Sequence, residues 1–212
     1  MATYLKGLLG DFTGGVGPVV GSTWKGINYM KGRQRKSTIP RSQAQLEQQA
    51  KFSLLQGFLL SMRKILMLGF KDSAIQMTGI NSAYQYNYRH AITGAYPAFA
   101  LNYGKVLVSA GRLLNAVDLS AMAEDDGMLK FSWTDNSGMA MANANDKCMI
   151  VVYCAEQKRS VYITTGAERS VGSHLINVGI FSGKMVETWI SFIAADGADV
   201  ATSIYTGQLT VL

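Results

Sequence analysis

From Tyr103 to the C-terminus the apolar residues recur at every second position in short runs broken by turn residues, and this period limits the fold more than any other feature. The runs cover 105–109 (KVLVS), 129–134 (LKFSWT), 148–155 (CMIVVYCA), 161–165 (VYITT), 175–180, 187–195 (ETWISFIAA) and 203–211 (SIYTGQLTV). Between them stand Asp125-Asp126-Gly127, Asp135-Asn136-Ser137-Gly138, Asn145-Asp146, Gly172, Ser182-Gly183 and Asp196-Gly197, the residue types that reverse a chain. Strands side-chain period is two and that of a helix 3.6, so these runs predict strands. About seven short strands in roughly 100 residues, with a tryptophan early and aromatics late, predict an immunoglobulin- or fibronectin-like antiparallel sandwich.

The preceding part reads differently. Residues 1–41 hold Gly7, Gly10, Gly14, Gly15, Gly17, Gly21, Gly26 and Gly32, a density that defeats a helix and predicts an extended arm with turns. A helix is expected after Pro40, with Ser42 and Gln45 in a capping-box arrangement. Its stripe is Leu55, Phe58, Leu59, Met62, Ile65 and Leu66, its stop Gly69, and Gly57 is the expected place for a kink or close packing. A second helix is expected over 82–93, capped by Asn81 and closed by Gly94. The organisation expected is therefore an arm over 1–41, a helical segment over 42–100 and a β-sandwich over 101–212, an α+β chain that is mainly β.

Charge divides along the same line. Through Arg112 there are 14 bases against three acids, a net of +11, whereas 113–212 hold six bases and 11 acids, a net of −5. Only 16% of the chain is charged, below the roughly 25% of an ordinary soluble chain, which favours a surface covered in an assembly. A dipolar chain attracts copies of itself head to tail, or holds a polyanion with its basic part. The longest apolar segment, 54–70, contains Gln56, Arg63 and Lys64, so no membrane span is expected. The start MATYLKGLLGDFTGG has no apolar stretch followed by a small-residue cleavage site, so no Sec signal is readable; cytoplasmic synthesis is expected, with release or a virion-like assembly left open.

Residues able to carry chemistry are few. Cys148 and Cys154 lie six apart in one expected strand, roughly 20 Å at about 3.3 Å per residue, too far for a disulfide, and read as core thiols. The two histidines, His90 and His174, match no zinc spacing with them, and His174 would meet a cysteine only through the fold. The acids Asp118, Glu124, Asp125 and Asp126, and the loop set Asp135, Asn143, Asn145 and Asp146, lack the spaced series of a calcium loop. The run GGVGPVVG lacks the Lys-Ser/Thr ending of a phosphate loop. No catalytic residue, cofactor or metal is expected, and the chain reads as a non-enzyme.

The distinctive segment is the arm. Lys25, Lys31, Arg33, Arg35, Lys36 and Arg41 stand with Trp24 and Tyr29 in a stretch without an acid from Ser22 to Gln45. Cations and aromatics together bind single-stranded nucleic acid, and they also dock on the acidic part of a neighbouring subunit. The charge split favours the neighbour, with Val16, Val19, Val20 and Trp24 adding a strand to its sheet edge. The expected partner is thus a second copy of the chain, in an oligomer, filament, tube or virion-like polymer formed through the arm and the helices. Nucleic acid, as in a phage- or packaging-related protein, is the second candidate. A sugar- or surface-binding module using Trp133 or Trp189 is the third, provided either is exposed.

The blocks GPVVGSTWKGINYM, PRSQAQLEQQAKF, GAYPAFALNYGKVLVSAG and FSGKMVETWISFIAADGADVATSIYTGQLTV, in this order, resemble a family of about this length from Bacteroidota, a domain of unknown function often present in several copies per genome. The resemblance runs from Gly17 to the C-terminus. It implies a basic glycine-rich N-terminal part, a helical middle and a sandwich end, and it transfers no catalytic or binding residue.

Overall fold

A computed structural model describes residues 3–4, 11–24, 26–34, 39–74 and 76–212. The chain divides into two units, Met1–Ser42 and Gln43–Leu212. In the first, β1 (Thr3–Tyr4), β2 (Phe12–Val16), β3 (Val19–Trp24) and β4 (Ile27–Gly32) form one antiparallel sheet in chain order. Gly17 at φ 54 followed by Pro18 makes a two-residue turn that pairs Val16 with Val19, the left-handed first position being one that glycine takes without strain. The Arg33 N–H donates to the Pro18 carbonyl at 2.7 Å and holds the end of β4 against that turn. The described segments of the expected arm are strands that pair with one another as a meander.

The second unit opens with α1 (Gln43–Leu60) and α2 (Arg63–Gly69). The single helix expected up to Gly69 is in fact two, turning through 90° at Ser61 and Met62 rather than at Gly57. The Ser61 N–H and hydroxyl both donate to the Phe58 carbonyl, and the Met62 N–H donates to Leu59, so the last turn of α1 tightens and the chain leaves its axis. This bend lets Leu55, Phe58, Leu59, Met62, Ile65 and Leu66 all reach one core. Among the described residues no single helix is long and apolar enough to cross a membrane. α3 (Gly79–His90) begins earlier than expected: Thr78, not Asn81, is the cap, its side chain accepting the Asn81 N–H at 3.3 Å. It also ends earlier, because Ile92 and Thr93 form β5 (Ile92–Thr93), paired with β6 (Ala100–Leu101).

Seven strands follow. β7 (Val117–Glu124), β8 (Met128–Thr134) and β11 (Ser173–Asn177) form a three-stranded sheet in the order β11-β8-β7. β9 (Lys147–Cys154), β10 (Arg159–Ile163), β12 (Met185–Ile193) and β13 (Ile204–Thr210) form a four-stranded sheet in the order β10-β9-β12-β13. The two sheets make the expected immunoglobulin/fibronectin-like antiparallel sandwich. Six of the seven predicted runs become strands. The exception is 105–109, where Lys105 ends a short 3-10 turn and no ladder forms: Asn87 brackets Leu107 on both its N–H (3.0 Å) and its carbonyl (2.9 Å), and Ser203 Oγ accepts the Val108 N–H at 2.9 Å. The seventh strand is β7, whose small and polar residues hide its period.

Alternation along β9 shows how the layers are joined. Cys148, Ile150, Val152 and Cys154 point between the sheets, while Met149, Val151 and Tyr153 point outward into a second core with the helices. In β12, Val186, Ile190 and Phe192 face the first core and Trp189 and Ile193 the second. The helices therefore form no separate body; they cover the outer face of the four-stranded sheet. Phe58 sits at their centre, edge-on to Tyr153 at 4.8 Å and tilted against Trp189 at 6.1 Å. Replacing it removes apolar burial from helix and sheet at once. Phe58→Ala is expected to cost about 3–5 kcal/mol in urea denaturation, whereas Leu60→Ala, at a side chain 51% exposed on the same helix, costs about 0.5 kcal/mol or less.

Candidate interaction surface

The first unit places the arm residues by strand register. Val20 pairs with Lys31, Ser22 with Tyr29 and Trp24 with Ile27, and paired residues share a face, so Trp24, Ile27, Tyr29 and Lys31 line one face of the meander. Val16 and Val19 pair across the first turn, with Val19 and Val20 half-buried. Arg33 and Arg41 are exposed beyond β4, and Lys25, Arg35 and Lys36 lie outside the described residues. All six residues of β4 are exposed, including Ile27 at 64% and Met30 at 71%. Among the described residues of this unit only Gly21 is buried, packed under the Phe12 ring.

Ile27 and Met30 escape a reading based on charge and aromatics. The signal that finds them is the strand pair itself: Gly-Pro between two valines, then an alternating run after Gly26. The Lys31 ammonium lies 5.9 Å from the Tyr29 ring centre, a cation–π distance that keeps the cation on the aromatic face.

The sandwich carries the residues considered for chemistry. Cys148 and Cys154 are both free and buried. The fold does bring His174 towards Cys148: a Cβ at Gly166 would lie 2.5 Å from Cys148 Sγ and 3.4 Å from His174 Nε2. Burial pushes the Cys148 thiol up to about 12, so it stays protonated at neutral pH and is no nucleophile. Burial also lowers the His174 pKa; its Nδ1 accepts the Ala167 N–H at 3.2 Å and its Nε2 has no hydrogen-bond partner.

Among the described residues no three His, Cys, Asp or Glu side chains gather as metal ligands. The loop acids have other roles. Asp135 accepts the N–H of Ser137 at 2.9 Å in a turn. Asp146 is fully buried against Arg169, which donates to it from Nε at 3.2 Å and Nη2 at 3.0 Å. Trp133 and Trp189, the residues a sugar-binding reading requires at the surface, are buried, and Trp133 Nε1 donates to the Arg169 carbonyl at 2.7 Å.

Acids reach the surface along β7 and the turn after it. Asp118, Ser120, Met122 and Glu124 are exposed, and Leu119, Ala121 and Ala123 between them pack on the sandwich core. Asp125 and Asp126 continue the exposed acidic stretch. β7 is an edge of its sheet, as β4 is of the meander.

A family model described as a family of unknown function, DUF6266, matches residues 11–207. Among solved structures the chain is similar to the fn3 domain of human collagen alpha-1(XX) chain, with 18% identity over 49% of this chain and 90% of that chain and a TM-score of 0.34. No curated protein matches.

The raised Cys148 pKa has a measurable consequence. The stability contributed by the buried protonated thiol is fully present below the ordinary thiol range near 8.5 and is lost as pH rises from there towards about 12. Between about pH 8 and about pH 10 the wild-type urea midpoint is expected to fall more than that of Cys148→Ala. Both thiols are expected to react with a disulfide reagent only after unfolding; rapid labelling of the native chain would show the burial to be wrong.

Proposed function

The chain belongs to the DUF6266 family, a family of unknown function, and from that premise we propose that it is a non-enzymatic structural protein that self-associates into an oligomer or polymer through its N-terminal sheet. One observation carries the reading: a four-stranded sheet with a single buried residue among those described presents Trp24, Ile27, Tyr29 and Met30 at its surface. A small sheet with one buried residue among those described has little of the apolar burial that offsets the entropy of ordering its chain. Contact with another molecule supplies that burial. The apolar stripe of α1 and α2 is already used inside the second unit, so the meander and not the helices carries the proposal. The inert setting of Cys148 supports the non-enzymatic part.

A second reading rests on charge. Residues 1–42 hold seven bases and one acid, a net of +6, and residues 43–212 hold 13 of each. The whole net charge of the chain thus sits with Trp24 and Tyr29, a combination that also suits single-stranded nucleic acid.

Sedimentation of the nuclease-treated full-length protein separates the two. A concentration-dependent oligomer or polymer is expected, with Ile27→Ser/Tyr29→Ser shifting it towards monomer. A species that stays monomeric over about a hundredfold range of concentration removes the self-association reading. Complexes that vanish with nuclease and weaken steeply with salt would favour nucleic acid.

A further inference from the structure

The self-association reading leaves open which surfaces meet, and the two edge strands carry complementary information. β4 presents six exposed residues with no proline and no bulge, paired without interruption to β3 from Val19–Gly32 to Trp24–Ile27. Its outer edge pairs with no strand among the described residues, and an unprotected edge of this kind templates pairing with another chain. Lys31 lies on it and Arg33 follows. Resting on that reading, we propose that β4 of one copy adds antiparallel to β7 of the next, with Ile27 opposite Met122, Tyr29 opposite Ser120 and Lys31 opposite Asp118.

Three arguments select this pair. The first is charge: two β4 strands meeting would bring together two units of net +6, whereas β7 offers Asp118 and Glu124 and no base. Among the other edges of the sandwich, β10 begins with Arg159, and β11 and β13 contain no carboxylate. The second is side-chain period. Ile27, Tyr29 and Lys31 share one face of β4, and Asp118, Ser120 and Met122 are the outward set of β7, so one register matches all three pairs. A slip of one residue would set Lys31 opposite Leu119, which packs on the sandwich core. The third is apolar area: Ile27 and Met122 are each 64% exposed and would cover each other. The β7 ladder shifts register between Val117 and Ser120, so backbone pairing would use residues 120–124, with Asp118 meeting Lys31 as an ion pair beside them.

Joining β4 of one copy to β7 of another is a heterologous contact, and the joined pair still presents one β7, on the first copy, and one β4, on the second. Repetition gives a ring if the rotation closes and a filament if it does not.

The test uses full-length chains carrying Lys31→Glu, Asp118→Lys, or both, followed by sedimentation at several concentrations. Lysine tolerates the backbone at 118, since Lys158 of this chain sits at φ 52 and Asp118 at φ 51. Each single variant is expected to raise the dissociation constant about tenfold, because an attractive pair becomes a repulsive one. The double variant is expected to restore it to within about threefold, as is an equimolar mixture of the two single variants, whose copies pair alternately. Wild-type assembly left unchanged by both single variants overturns this pairing while self-association stands. The same holds if the losses are not restored by the double variant. Restoration in the double variant but not in the mixture would mean that each chain pairs with itself, and also overturns it. A wild-type chain that does not assemble removes the reading and the pairing together. If Asp118→Lys does not fold by circular dichroism, Asp118→Asn is expected to weaken assembly and to lose the response of assembly to Lys31→Glu; a retained response counts against the pair.

Discussion

The second unit depends on strands that are buried on both faces. Every residue of β9 after Lys147 is buried, four side chains feeding the core between the sheets and three feeding the core under the helices. A strand in an antiparallel sandwich ordinarily has one face in water and an alternating apolar-polar sequence. CMIVVYC is instead continuously apolar, which is stable only where a second layer covers it. The bend between α1 and α2 follows from this requirement: a straight helix would carry Ile65 and Leu66 past the sheet, whereas a 90° turn returns them to it. The extended segment carrying Val106 and Val108 belongs to the same cover. Asn87 and Ser203 hold it in place by bonding its backbone, which spares that segment the cost of burying unpaired amides.

One end of the sandwich is organised by a buried charge. Arg169 is fully buried and donates to Asp146, to Asn136 Oδ1 at 2.8 Å and to the Leu114 carbonyl at 2.8 Å, while its guanidinium stacks 4.4 Å from the Phe192 ring centre. The Trp133 N–H closes the set on the Arg169 carbonyl. These contacts tie the segment before β7, the loop between β8 and β9 and the loop between β10 and β11 to the sandwich core. A buried ion pair is weak evidence of net stability, because desolvation of two charges offsets their attraction. Its effect is geometric: three irregular segments share one five-donor group whose fork admits few arrangements.

The parts legible in the sequence were those whose signal is local. Period two with turn residues identifies β8 to β13, because each strand buries a regular set of side chains. Asn81 and Thr78 are both cap-forming residue types, and the choice of Thr78 over Asn81 is made by packing, with Gly79 fitting closely against Leu66 and Met67 of α2. The segment 105–109 has the composition of a strand, but the Leu107 and Val108 backbone is bonded by two side chains roughly 20 and 95 residues away. No window of sequence contains them. β7 fails in the opposite way: VDLSAMAE is poor in β-branched residues, and it is a strand because β8 pairs with it. The arm shows both sides of this. Its extended conformation is legible in its glycines, whereas the face joining Trp24 to Ile27, Tyr29 and Lys31 exists only once the strands are in register.

The two units differ in how far each meets its own needs. The second has two cores, a buried ion pair tied into a hydrogen-bond network and a covered sheet, and its charges balance at 13 against 13. The first has a sheet without an interior among its described residues, and the whole excess of cations. A segment of that kind gains most from contact, since burying its apolar face and neutralising its charge each lower the free energy of the sheet and of the complex together. Order in the meander and contact with a partner are on this account one equilibrium. Under the proposed self-association, the glycines that weaken the isolated sheet would keep the edge strand from pairing where the complementary charge is absent.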